Sequence, residues 1–80
     1  LSESSEDNHF RALILLDFGH LLNEQRSHRK AIGYLEKSAE IFERGKDWFN
    51  FAMTQQNLAV AFRGLGDYKQ AQIYFERVQD

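Results

Sequence analysis

Cysteine and proline are both absent from this chain of 80 residues. Without cysteine there is no disulfide and no thiolate metal site. That absence fits a reducing compartment, so a cytoplasmic location is expected. Without proline no helix need be broken from within. An excess of either charge is lacking too: the net charge is −2, with acids and bases interspersed. A nucleic-acid binder would show a basic excess, so no nucleic-acid partner is expected. No apolar run approaches the roughly 18 residues of a membrane span, and no basic-then-apolar leader is seen, so no membrane partner is expected either. The first residue is Leu1 rather than methionine, which reads as a segment of something longer or a processed product. A chain this short makes one domain at most and buries only about 60% of its unfolded surface.

What is present is helical periodicity. Residues 1–6 are polar and acidic and are expected to be a disordered lead-in. Asp7 is the candidate N-cap of a first helix over about 8–23, with Ala12, Leu15, Phe18, Gly19 and Leu22 on one face. Leu13, Ile14, Leu16 and Leu21 make this helix apolar well beyond one stripe, so it must pack on more than one side. Gly19 inside it implies close approach of a neighbouring helix. Glu24–Arg26 is the turn, and Ser27 caps a second helix over about 28–44, with Ala31, Ile32, Leu35, Ala39 and Phe42 inward. Gly45 is expected to end that helix in a left-handed conformation. Asp47 caps a third helix over about 48–65, whose opening aromatics Trp48, Phe49 and Phe51 are expected in the core. Gly66 ends it, and Asp67 caps a fourth helix over about 68–79.

The two halves superpose with a shift of forty residues. Phe18 falls on Leu58, Gly19 on Ala59, Leu22 on Phe62, Ala31 on Ala71 and Leu35 on Phe75. The second half reads Leu58-Ala59-x-x-Phe62, then Leu65-Gly66-Asp67-Tyr68, then Ala71-x-x-x-Phe75. This pattern resembles the tetratricopeptide repeat, in which small residues at fixed positions let two antiparallel helices cross closely. The first half matches through Phe18-Gly19-x-x-Leu22 and the run from Ala31 to Glu43, but has Arg26 and His28 in place of the turn glycine and tyrosine. The usual repeat is about 34 residues; a period of forty is similar to the extended subclass found in kinesin light chains, spindle-orientation adaptors and bacterial regulators. The resemblance implies an all-α fold, an α-α superhelix of two tandem helix-turn-helix units over 7–45 and 46–80.

Few residues suggest chemistry. His20, Glu24 and His28 are four apart, but the turn at 24–26 separates His28 from the other two, so no metal site is expected. The carboxylates fall on wet faces, where nothing raises a pKa for proton transfer. Gly64-Leu65-Gly66 is a helix end rather than a phosphate loop, since no strand precedes it. Arg26, Arg29 and Lys30 read as a solvated turn. The chain is therefore expected not to be an enzyme, with no cofactor and no small-molecule substrate.

The resemblance instead implies a protein-interaction module whose first helices line a concave peptide-binding groove. Carried over position by position, that groove would be lined by Leu13, Leu16, Asp17, His20 and Asn23, and by Met53, Gln56, Asn57, Val60 and Arg63. Asn57 stands where family members often carry an asparagine that bonds a peptide backbone; Asp17 stands at the matching place in the first unit. Leu16 and His20 replace the lysine and asparagine of a chaperone-type carboxylate clamp. The expected ligand is a mixed apolar and polar peptide segment of a partner protein, with Arg63 available to an acidic group. An alternative is self-association, as a homodimer or by helix exchange, through Ile73, Tyr74, Phe75 and Val78 on the uncovered last helix. A further alternative is a sensor fragment of a larger signalling regulator.

Overall fold

A computed structural model describes residues 5–79, with side chains from Glu6 to Arg77. Four helices follow one another: α1 (Ser5–Glu24), α2 (His28–Arg44), α3 (Trp48–Gly64) and α4 (Tyr68–Gln79). Each is joined to the next by a tight turn, so consecutive helices run antiparallel. Each packs on the next, and α1 also touches α3. This is an all-α helical repeat in which stacked hairpins build a superhelix. The expected lead-in at residues 1–4 lies outside the described residues. Ser5 and Glu6, also expected there, are helical, and Asp7 is not an N-cap. It lies in the first turn of α1, where its negative charge suits the helix dipole.

The three turns share one construction. The N–H groups of Ser27, Asp47 and Asp67 reach back to the carbonyls of Leu22, Phe42 and Phe62 at 2.8–2.9 Å. Those of Arg26, Lys46 and Gly66 reach Asn23, Glu43 and Arg63 at 2.9–3.1 Å. These paired bonds form the Schellman motif, which satisfies the last carbonyls of a helix and needs one left-handed residue. That residue is Arg26 (φ 64°), Lys46 (φ 58°) or Gly66 (φ 84°). Gly45 was expected to take this role but is right-handed at φ −81°. The motif places its left-handed residue one position later, on Lys46. Asp47 then caps α3 by accepting from the Asn50 N–H at 3.2 Å, and Asp67 caps α4 through the Gln70 N–H at 3.2 Å. Ser27 occupies the same position before α2, but its hydroxyl makes no cap bond.

The core lies along the helix crossings. Ala12, Leu16, Leu22, Ala31, Leu35, Phe42, Leu58 and Ala61 form one buried cluster. A Cβ on Gly19 would stand 2.5 Å from Leu35 Cγ and Cδ2, so α1 and α2 cross with no room for a side chain there. Ser38 ties the same two helices by donating from its hydroxyl to the Ala12 carbonyl at 2.8 Å, fully buried. Some aromatics sit farther out than their spacing suggested. Phe18 is half exposed and meets Tyr34 edge-on at 4.7 Å. Of the aromatics opening α3, only Phe51 packs on the core; Trp48 and Phe49 are exposed.

Candidate functional site

The first helices of the two hairpins, α1 and α3, lie side by side and leave a concave surface of about 390 Å³ between them. It is lined by Leu16, Asp17, His20, Met53, Gln56, Asn57 and Val60. Helical spacing explains the set. Leu16 and His20 are one turn apart on α1, and Met53, Gln56 and Val60 follow at steps of three and four on α3. Leu16 is nearly buried and belongs to the core as well as to this surface. Apolar atoms therefore come from Leu16, Met53 and Val60, and polar groups from Asp17, His20, Gln56 and Asn57.

Asn57 is already engaged within the chain. Its Nδ2 donates to the Met53 carbonyl at 3.0 Å, and its Oδ1 lies 3.1 Å from His20 Nδ1. An amide oxygen only accepts, so the His20 proton on this contact is the one on Nδ1. His20 Nε2 in turn faces Glu24 at 3.4 Å. The side-chain amide has two N–H groups and two lone pairs, so one donor and one acceptor site remain for a visiting peptide unit.

The other three residues expected on this surface are engaged elsewhere. Leu13 packs against the core. Asn23 is buried and bridges three helices: its Nδ2 donates to the Asn57 carbonyl at 3.0 Å, and His28 Nδ1 donates to its Oδ1 at 2.9 Å. The Arg63 guanidinium lies over the Phe75 ring, 5.9 Å from its centroid, so it faces α4. An acidic ligand group meeting Arg63 in the groove is not supported by this placement. Phe49, expected in the core, is 76% exposed and stands one turn before Met53 on α3.

His28 illustrates why the histidines do not converge. It turns to Asn23, and a Cβ on Gly64 would fall 2.3 Å from its Nε2, so its ring fills the crossing of α2 and α3. Among the described residues no group of three His, Asp or Glu side chains is placed to hold a metal ion, and no helix is long and apolar enough to cross a membrane.

A second depression of about 400 Å³ lies between the start of α1 and the end of α2, with His9, Phe42 and Asp47 in its wall. Its polar groups hold the hairpins together. His9 Nε2 is 2.7 Å from Asp47 Oδ2, and Asn50 Nδ2 donates to the same oxygen at 2.7 Å. The His9 ring also meets Phe42 edge-on. The Asn50 amide holds the Asp47 carboxyl below the usual carboxylate range, helped by His9 and against partial desolvation.

Two aromatics of the last helix, Tyr74 and Phe75, turn toward α3. Tyr74 stacks on Phe62 at 5.5 Å and also has the Arg77 guanidinium over its ring at 5.2 Å, and Phe75 lies beneath Arg63. Tyr74 and Phe75, expected on an uncovered outer face, are thus the contacts of α4 with α3. Ile73 alone of the described members of that set is exposed; the Val78 side chain lies outside the described residues.

Compared with known proteins, residues 5–80 match a family model described as tetratricopeptide repeat. Nothing matches among curated proteins or among solved structures.

Proposed function

This chain belongs to the tetratricopeptide repeat family, whose members generally serve as protein–protein interaction modules, and from that premise we propose that it binds a peptide segment of a partner protein between α1 and α3. The observation that carries this reading is the convergence of apolar and polar residues from both helices on one concave surface. A peptide with apolar side chains would bury them on Leu16, Met53 and Val60. Its backbone would use the remaining donor and acceptor of Asn57, and Asp17 favours a neutral or basic segment over an acidic one. Helix starts at residues 28, 48 and 68, with turns of one construction, support the extended form of the repeat and the division into units 7–45 and 46–80.

The test is selection from a displayed random-peptide library against the chain and against Met53→Glu with Gln56→Ala. Both positions are exposed, so the variant should fold. A shared apolar motif enriched by the parent and lost with the variant supports the groove. A folded parent that enriches nothing, or a motif indifferent to the variant, removes it. Homo-association through α4 is a second reading, favoured by the exposed side chains of Ile73 and Tyr68.

A further inference from the structure

Asp17, His20 and Glu24 follow one another on α1 at steps of three and four, so these titratable groups share one edge of the helix. Across the concave surface α3 presents Met53, Gln56, Asn57 and Val60, none of them charged. The single charged residue of α3, Arg63, lies over Phe75 of α4. His28 of α2 turns to Asn23, and Arg26, in the turn after α1, is exposed. The charge along this edge is therefore negative and comes from α1. The end of α1 adds to it, because a helix C-terminus carries partial negative charge that a basic side chain favourably offsets. α2, α3 and α4 have Arg44, Arg63 and Arg77 in their last turns, whereas α1 has no basic residue there and carries Glu24.

His20 links these charges to Asn57. Asn57 Nδ2 donates to the Met53 carbonyl, which leaves Oδ1 facing His20 Nδ1 and so keeps a ring proton on Nδ1. In the neutral ring Nε2 is then an acceptor, and it faces the Glu24 carboxylate, a second acceptor, at 3.4 Å. Two acceptors side by side are satisfied by a donor that reaches both. A proton on Nε2 does this. So does the ammonium of a lysine or the guanidinium of an arginine, each with several N–H groups. We propose that the peptide held in the groove carries a lysine or arginine whose charged head docks on His20 Nε2 and Glu24, with Asp17 one turn away, and that protonation of His20 displaces it. This rests on the groove reading and adds to it the ligand's charged side chain and a dependence on pH. Proton and peptide cation compete for the same acceptors. Affinity is therefore complete above the range in which imidazole ordinarily titrates, between about pH 5 and 8, and falls as pH falls through it. Both side chains are exposed, so the effect is that of a surface ion pair, about two- to fivefold in affinity.

The experiment is selection from a displayed random-peptide library at about pH 7.5 and about pH 5.5, values chosen around ordinary imidazole titration. The baits are the whole chain, Glu24→Gln and His20→Gln. Both positions are exposed, and circular dichroism checks that each bait keeps its helices. The parent is expected to enrich an apolar motif with lysine or arginine at a fixed place, less strongly at the lower pH. Glu24→Gln should keep the apolar motif and lose the basic residue at both pH values. His20→Gln, which takes up no proton, should keep the basic residue equally at both. Fluorescence anisotropy of the enriched peptide, resynthesised, should read about two- to fivefold weaker binding to the parent at the lower pH and no change with His20→Gln. A parental motif with no fixed basic residue, or with affinity the same at both pH values, overturns the proposal and leaves the groove standing. A pH dependence that survives in His20→Gln belongs to another group, such as His9 or His28, and also overturns it. A folded parent that enriches nothing at either pH removes the groove reading and this proposal with it.

Discussion

Replacing Gly19 by alanine should destabilise this protein, although the same exchange in mid-helix normally helps. The new Cβ would lie 2.5 Å from both Cγ and Cδ2 of Leu35, a side chain with no exposure. Leu35 cannot swing into solvent, so relief requires α1 and α2 to separate or Leu35 to leave its rotamer. Overpacking of this kind costs about 1–3 kcal/mol, and the helical preference of alanine over glycine returns about 1 kcal/mol. The net loss should be about 0–2 kcal/mol, or up to roughly 16 °C in melting temperature for a domain this small. Gly33 is the internal control. It lies in α2, and a Cβ there meets nothing within 4 Å. Gly33→Ala should therefore stabilise by about 0.5–1 kcal/mol. Urea unfolding followed by circular dichroism reads both. A double-mutant cycle isolates the cause: with Leu35→Ala in place, Gly19→Ala should lose its penalty and become stabilising. If Gly19→Ala and Gly33→Ala shift stability in the same direction by the same amount, the close-crossing argument is wrong.

Lys46→Gly should stabilise by about 0.5–1 kcal/mol in urea unfolding, because Lys46 holds a left-handed φ of 58° that costs a side-chain-bearing residue more than glycine; an unchanged midpoint would refute this. Ser38→Ala should cost about 0.5–1.5 kcal/mol, since the buried bond to the Ala12 carbonyl is lost while that carbonyl, inside α1, keeps its helical partner; thermal unfolding reads the loss. Asp47 makes stability depend on acid. Its folded pKa is depressed, so its contribution is complete above the unfolded value of about 3.9 and is lost as pH falls through the lower folded value. Asn at position 47 can still cap but does not titrate, so the stability gap between parent and Asp47→Asn should shrink below about pH 4. A gap constant from pH 6 to pH 2 would contradict that.

Local signals in the chain determined the second, third and fourth helices almost to the residue. Ser27, Asp47 and Asp67 stand twenty apart at the helix starts, and the two aspartates cap their own next turn, so no knowledge of neighbours is needed there. The forty-residue repeat likewise revealed which helices form hairpins and placed small residues at Gly19, Ala31, Ala59 and Ala71, where the helices cross. Most of the concave surface between α1 and α3 was legible for the same reason: Met53, Gln56, Asn57 and Val60 share a stripe of α3. Tertiary structure decided the rest. In α1 the run Leu13-Ile14-Leu15-Leu16 is apolar in every direction, so periodicity alone could not say which face is buried. The position of α2 and α3 decided that Leu16 goes in and Ile14 stays out. Asn23 became a buried bridge because the Asn57 carbonyl and His28 both arrive beside it, and Gly64 became a crossing point because the His28 ring does. A residue's spacing states which face it shares; only the neighbours that reach that face state whether it is core, groove or open surface.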